Sequence, residues 1–286
     1  MTQRHQGRTV VISGAASGIG QASAVRLAEE GAQIIIADRA AAEQTLQLVA
    51  NVGGKAAAVQ CDVSDPASVA ELKETIEENG GHCDILINNA GIYPMQTFDE
   101  ISFGDWRRVL SVNLDSMFLM TKAFSRGMRQ RGWGRIINIT SDTVSLLVPN
   151  FIHYITSKAG VVGFTRSIAT EFGVHGVTAN AIAPRARTRM TETIFGGDGM
   201  TSTEGAFDKW DPKNIANVVA FLAAPQSADV NGQIFVVFGA DIYAMSAFKA
   251  VGSVTRDSAW TPSDLVAAKA ELFKDVGSGV PPFSFI

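Results

Sequence analysis

Cysteine is scarce. Cys61 and Cys83 are the only two in 286 residues, so no disulfide framework carries the fold, and the composition suits a reducing compartment. Long hydrophobic runs are missing too: no stretch approaches the roughly 18 apolar residues of a membrane span. There is no basic excess, since 24 Lys and Arg face 28 Asp and Glu for a formal charge of −4. A nucleic-acid binder carries a basic face, and nothing here supplies one. Histidine is rare, and His5, His82 and His175 show no ligand spacing, so no catalytic metal is expected. Met1–Arg8 is polar, without the apolar segment of a secretory signal. These absences predict a soluble, cytoplasmic protein that engages neither nucleic acid nor membrane. What is present is a core: 46% hydrophobic residues against 18% charged excludes disorder over the whole chain.

Short apolar runs alternate with helical periodicity. Strands are predicted at Thr9–Ser13, Gln33–Ala37, Lys55–Cys61, Asp84–Asn88, Arg135–Thr140, Val177–Ile182 and Gln233–Phe238. The run QIIIA at Gln33–Ala37 is that of a strand covered on both faces. Gly18–Glu30 places Ile19, Ala22, Val25 and Leu27 at helix-like recurrence. Pro66 opens a second helix to about Asn79, a long one spans about Phe103 to Arg131, and Tyr154–Phe172 is helical. Such alternation implies an α/β fold, a doubly wound parallel sheet of about seven strands with helices on both faces. One domain over residues 1–240 is expected, then a helical extension over 241–286. Within the extension, Thr261-Pro262-Ser263-Asp264 combines a capping threonine, proline at the first helical position and an acidic third residue. That helix should reach about Val276, with Pro281-Pro282-Phe283 as an extended tip packing on a neighbouring subunit or covering the active site. Arg185–Asp211, with Gly196, Gly197 and Gly199, reads as irregular and mobile without ligand.

The segment Ser13-Gly14-Ala15-Ala16-Ser17-Gly18-Ile19-Gly20 joins the first strand to the first helix. Small residues there let the backbone approach a pyrophosphate, and the helix N-terminus offers free N–H groups. Asp38 ends the second strand, 18 residues after Gly20. A carboxylate at that place accepts from both adenosine ribose hydroxyls and repels a 2′-phosphate, favouring NAD(H) over NADP. Ser17, not being basic, agrees; Arg39 is the contrary sign. The plainer role for Asp38 is capping the next helix.

Further along come Cys61-Asp62-Val63, Asn88-Asn89-Ala90-Gly91, Asn113, Ser141 and Tyr154-Ile155-Thr156-Ser157-Lys158, with Ser141 placed 13 residues before Tyr154. In this order the motifs resemble the short-chain dehydrogenase/reductase family, from about Gly7 to Gly239. The chemistry explains the residue types. Tyr154 and Lys158 are four apart and share a helix face. An unperturbed tyrosine is a poor base at neutral pH, and a lysine ammonium beside an oxidised nicotinamide would favour its phenolate. Tyr154 then exchanges a proton with the alcohol oxygen, and Ser141 hydrogen-bonds that oxygen. The resemblance implies a Rossmann-type fold, Lys158 and Tyr154 on the nicotinamide ribose, and Asn113 anchoring a water in a proton relay. It also implies cofactor contacts from Gly14, Ser17, Gly18, Ile19, Gly20, Asp38, Arg39, Asp62 and Val63 near adenine, Asn89, Ala90 and Gly91 at the ribose, and Pro184 and Thr188 at the carboxamide. A homotetramer built on the helices near 104–131 and 154–173 is implied as well. His153 points a third of a turn from Tyr154, which suits packing or a substrate contact.

Two departures stand out. Pro184-Arg185 replaces the family's usual Pro-Gly, and Phe238-Gly239-Ala240 replaces Asp-Gly-Gly. Gly91-Ile92-Tyr93-Pro94 and Gly132-Trp133-Gly134-Arg135 resemble family members that oxidise aromatic secondary alcohols such as 1-phenylethanol, whereas Ala186–Thr191 resembles a branch handling acyl thioesters or steroids. Tyr93, Thr143, Val144, Leu146, Leu147, Phe151 and Ile152 form the expected substrate wall, mostly apolar. Arg185, Arg187 and Arg189 stand ready for anionic substituents at the rim. The expectation is an NAD(H)-dependent dehydrogenase of hydrophobic secondary alcohols. The alternatives are a hydroxysteroid dehydrogenase, a 3-oxoacyl-thioester reductase and a non-catalytic cofactor sensor.

Overall fold

The computed structural model describes residues 3–146, 148–195, 200, 205–246 and 250–275. The chain divides into two compact units, Met1–Ala244 and Met245–Ile286.

In the first unit the strands are β1 (Thr9–Ser13), β2 (Gln33–Asp38), β3 (Lys55–Gln60), β4 (Ile85–Asn88), β5 (Gly134–Ile139), β6 (Val177–Arg185), β7 (Ile234–Phe238) and β8 (Asp241–Ala244). They form one sheet in the order β3-β2-β1-β4-β5-β6-β7-β8. All pairings are parallel except the last, where β8 turns back against β7. This is the doubly wound α/β sheet expected, with an eighth strand beyond the seven. Gly239 makes the reversal: its φ is +60°, a conformation costly for residues with a Cβ.

The helices are α1 (Gly18–Glu29), α2 (Glu43–Asn51), α3 (Pro66–Glu78), α4 (Phe103–Leu110), α5 (Ser116–Arg131), α6 (Thr143–Leu146), α7 (Ile152–Gly173), α8 (Arg189–Phe195) and α9 (Pro212–Ala223). Alternation along the strands divides the core in two. Val10 and Ile12 of β1 face Leu27, Val219 and Leu222 of α1 and α9. Val11, between them, faces the opposite layer with Leu72, Met120, Phe124 and Ile168 of α3, α5 and α7. Each such side chain contributes about 1.5–3 kcal/mol when fully removed from water. The expected long helix is interrupted: between α4 and α5 lies a π-helical turn, Ser111–Asp115. Part of the segment expected to be irregular is ordered, with β6 running to Arg185 and α8 beginning at Arg189. Gly196, Gly197 and Gly199 lie outside the described residues.

Strand order reverses between β1 and β4, and the crevice beyond their C-terminal ends is where doubly wound sheets bind ligands. The opposite rim carries a polar knot. Asp84 is buried, its Oδ2 accepts from Thr9 N at 3.1 Å, and Arg8, His82 and Arg131 approach its Oδ1 at 3.6, 3.2 and 3.7 Å.

The second unit holds α10 (Pro262–Leu272), opened as expected by Thr261, which accepts from Asp264 N while Asp264 accepts from Thr261 N. Arg256 pairs with the same carboxylate. Val276 and Pro281-Pro282-Phe283 lie outside the described residues.

Candidate active site

The loop from β1 to α1 is braced from behind. Ser13 Oγ accepts from the backbone N–H groups of Asn89 and Ala90 at 3.0 and 3.1 Å. Asn89 Nδ2 donates to the carbonyls of Ser13 and Gly14 at 3.0 and 2.8 Å. Glycine is required by close approach. A Cβ on Gly14 would stand 2.7 Å from Ala90 Cα, and one on Gly20 2.5 Å from the Gly14 carbonyl oxygen. Ser17 precedes α1, yet its hydroxyl does not cap the helix; it accepts from Arg189 Nη2 at 2.7 Å. The first turn carries no acidic side chain, so its N–H groups and dipole are available to an anion. The cradle therefore fits a dinucleotide pyrophosphate.

Asp38 does not cap α2, whose N-cap is Ala42. Its Oδ2 accepts from Ala16 N and its Oδ1 from Ala40 N, both at 2.9 Å. Both oxygens thus border the glycine loop with lone pairs left over for ribose hydroxyls. Asp62 accepts from the Ser64 hydroxyl at 2.6 Å, which with the Ser64 N–H and Arg39 holds its carboxyl below the usual range. Arg39 reaches Asp62 at 3.7 Å and is otherwise exposed. Across the cleft, a Cβ on Gly18 would come within 3.3 Å of Thr188 Cγ2, so the glycine loop and the β6–α8 connection nearly close over the slot.

The slot opens into a cleft of about 390 Å³ whose lining includes Gly18, Ile19, Val63, Gly91, Ser141, Tyr154, Lys158, Pro184 and Thr188. Three elements deliver the four expected catalytic side chains. Ser141 follows β5, Tyr154 and Lys158 lie on the first turns of α7, and Asn113 sits in the π turn. The widened turn aims Asn113 inward, a recurrent use of this geometry. Its Oδ1 accepts from Ile92 N at 2.8 Å, and its Nδ2 donates to Ile92 O and Ser157 Oγ at 3.0 and 3.1 Å. Asn113 therefore ties the Gly91 loop to α7 through its side chain.

Lys158 Nζ donates to the Ile139 carbonyl at 2.8 Å and lies 5.8 Å from the Tyr154 ring centre. Burial lowers its ammonium to about 8. Burial also holds the Tyr154 phenol above its ordinary range; the Ser141 hydroxyl pulls the other way, while Tyr93 and Asp142 add to the rise. A positive ring beside this pair would favour phenolate.

Tyr93 stacks on Phe151 at 4.4 Å between ring centres and meets Tyr154 edge-on at 4.3 Å, so Tyr93 packs between the Phe151 and Tyr154 rings. Burial raises the Tyr93 hydroxyl to about 12. Thr143 is placed differently: its hydroxyl donates to Ser141 Oγ at 2.9 Å and its N–H does so at 3.2 Å. It props Ser141. Val144 is half-buried in α6 and Ile152 is exposed; the Leu146 side chain and Leu147 fall outside the described residues. His153 is buried and turned away, with Nε2 3.1 Å from Gln96 Oε1.

The rim arginines, expected to stand ready for anions, each already have a partner. Arg185 pairs with Asp142, Arg187 donates to Asp208 Oδ2 at 2.6 Å, and Arg189 bonds Ser17. Asp142 and Arg108, which also lines the cleft, carry no sequence signal; Ser157 lies within the tyrosine–lysine motif without a role of its own there, and Arg185 stands out by replacing a glycine.

Comparison with known proteins agrees with this geometry. The family model described as enoyl-(acyl carrier protein) reductase matches residues 14–239. A hydroxyacyl-CoA dehydrogenase of Mycobacterium tuberculosis is 34% identical over 283 residues, covering 93% of this chain and 89% of its own. A 3-oxoacyl-[acyl-carrier-protein] reductase of Synechocystis is 36% identical over 238 residues, covering 81% of this chain and 96% of its own. The crystal structure of a short chain dehydrogenase from Mycobacterium avium superposes with a TM-score of 0.85 at 31% identity, covering 99% of this chain and all of that one. With the braced glycine loop, the inward asparagine and the serine, tyrosine and lysine around one cleft, the chain belongs to the short-chain dehydrogenase/reductase family of nicotinamide-dependent oxidoreductases.

Proposed function

We propose that this chain interconverts a hydrophobic secondary alcohol, aromatic or alicyclic, and its ketone with NAD(H). The observation that carries the reading is the setting of Tyr154: a buried phenol in the cleft, with Ser141 and Lys158 beside it and the Tyr93–Phe151 stack against its ring. A bound oxidised nicotinamide supplies the hydride acceptor. In oxidation Tyr154 Oη takes the hydroxyl proton, and in reduction it returns one to the carbonyl oxygen. Ser141 Oγ accepts from Thr143, and its own hydrogen is directed to Asp142 Oδ1 only at a long 3.5 Å, so a substrate oxygen can take that hydrogen where charge changes during the reaction. Lys158 supplies the cation that makes phenolate accessible. The aromatic wall excludes water and suits a planar or ring-bearing substrate. Asp38, with acceptor capacity facing the ribose position, disfavours a 2′-phosphate; Arg39, drawn toward Asp62, supports NADP least where that pairing holds.

A second reading has a specific observation behind it. The hydroxyacyl-CoA dehydrogenase aligns over a span too long to fit within Met1–Ala244, so its likeness reaches the second unit. A 3-hydroxyacyl thioester is itself a secondary alcohol and needs no other catalytic groups. Initial rates with NAD and NADP, over a panel from 1-phenylethanol through cyclohexanols and hydroxysteroids to 3-hydroxyacyl thioesters, decide between them. NAD-linked turnover of the ring alcohols supports the first reading; turnover confined to thioesters replaces it with the second. No turnover on any alcohol removes both.

The proposed assembly is a homotetramer through α4, α5 and α7. Phe103 and Phe118 stand 78% and 51% exposed on α4 and α5, apolar area that a second copy would cover. Sedimentation as a monomer at micromolar concentration refutes it.

A further inference from the structure

Beside the reacting groups lies a carboxylate that the proposed chemistry does not use. Asp142 immediately follows Ser141, and its Oδ1 is 3.5 Å from Ser141 Oγ. Its Oδ2 accepts from Arg185 Nε, and the two side chains are only 13% and 10% exposed. The sheet brings them together. β5 and β6 run parallel with Ile139 opposite Ile182, so the residues just beyond β5 and the end of β6 share one rim. A half-buried carboxylate next to a phenol that must ionise works against that ionisation, by like-charge repulsion in a medium of low dielectric.

We propose that Arg185 is a positioning residue for the acid–base: its guanidinium holds and neutralises Asp142, so that the carboxylate orients Ser141 without opposing charge on Tyr154. The inference rests on the acid–base reading of Tyr154 given above. It also accounts for an arginine where the family pattern has glycine. A planar fork with a permanent charge suits a carboxylate better than an ammonium does. Taken by itself the Asp142 carboxylate works against ionisation of both Tyr154 and Tyr93, a smaller effect than their burial, and this is the field that the guanidinium would offset.

The other charged or titratable groups around the pair are few. Facing Tyr154 are Tyr93 from the β4 loop and Lys158 from α7, and Arg108 of α4 lines the same cleft. Behind Arg185, its guanidinium lies 5.9 Å from the Phe238 ring of β7. Lys209 lies 5.7 Å from that same ring and pairs with Asp241 at 3.7 Å. His153 faces Gln96, with Asp105 as its nearest acid.

The test compares Arg185→Met, Arg185→Lys, Asp142→Asn and the Asp142→Asn/Arg185→Met double variant. Two readouts are taken: the pH profile of kcat/KM, and the near-ultraviolet absorbance of tyrosinate with NAD bound. The chain has only three tyrosines, and the ionisation step missing from Tyr154→Phe identifies Tyr154. Arg185→Met is expected to move that step up by about one pH unit. Arg185→Lys should restore part of the shift, and the double variant should return the step to its original position. Should Arg185→Met fail to fold, Asp142→Asn alone is expected to move the step down, because the negative charge is then removed while the guanidinium stays. An unmoved step in Arg185→Met, a shift that persists in the double variant, or an upward shift in Asp142→Asn overturns the proposal. Retained turnover in Tyr154→Phe would instead overturn the acid–base reading, while the tyrosinate readout still reports on Arg185.

Discussion

Tyr154 has two tasks that conflict: burial makes its ring part of a dry wall, and the same burial resists the charge it must carry. In the proposed reaction Lys158 answers this conflict, and it in turn is held by the Ile139 carbonyl. Replacing Tyr154 by Phe keeps the ring and its contact with Tyr93 while removing the proton acceptor. Turnover is expected to fall by about 10²–10⁴-fold, with NAD affinity measured by fluorescence titration changed little. The adjacent His153 affects stability, not chemistry. Burial lowers its imidazole below the ordinary histidine range, so as pH falls through that range the unfolded chain takes up a proton that the folded one resists. Stability therefore rises with pH through this window. His153→Asn should flatten the acid side of a plot of Tm against pH, and an unchanged slope counts against this assignment.

The elements show which parts of a sequence carry their own signal. Tyr154 and Lys158 were legible because a helix repeats at a known spacing and both fall on one face. Asp38 was legible as the end of a strand, although its bonds to Ala16 and Ala40 N–H groups depend on a loop folded back over it. Asp211-Pro212 opens α9 as Asp65-Pro66 opens α3, each aspartate accepting from the N–H two residues on; that signal was present and not read. The π turn at Ser111–Asp115 was illegible, since one extra residue in a helical turn leaves the apolar period almost unchanged. The Asp142–Arg185 pair is illegible in sequence because its members are 43 residues apart and meet only when β5 and β6 pair. At the glycine loop the requirement is steric. Gly20→Ala would set a methyl 2.5 Å from the Gly14 carbonyl oxygen and 2.7 Å from Asn89 Nδ2. The loop must shift, and NAD affinity is expected to fall at least tenfold by calorimetry, with the far-ultraviolet spectrum preserved.

Across the whole molecule, the sheet separates its two ends. The residues proposed for chemistry, from the segment after β5, the π turn and the start of α7, gather toward the C-terminal ends of the strands, whereas Asp84, Arg8, His82 and Arg131 gather at the other rim. Asp84→Ala leaves the Thr9 N–H without its acceptor and Arg8 and Arg131 without their carboxylate. A stability loss of about 1–3 kcal/mol is expected by denaturant titration, with kcat and its pH profile unchanged at temperatures where the protein is folded. The extension is proposed to act at an interface or over the substrate. Truncation after Ser258 should alter oligomer size or KM, and a truncated chain identical in both properties sinks that idea. The separation of the two rims has a consequence for variation. Substitutions that weaken the Asp84 knot and substitutions that redirect the cleft draw on different residues at opposite ends of the sheet. A lineage of such proteins can then acquire new substrates at one rim while a single compensating change at the other restores what robustness was lost.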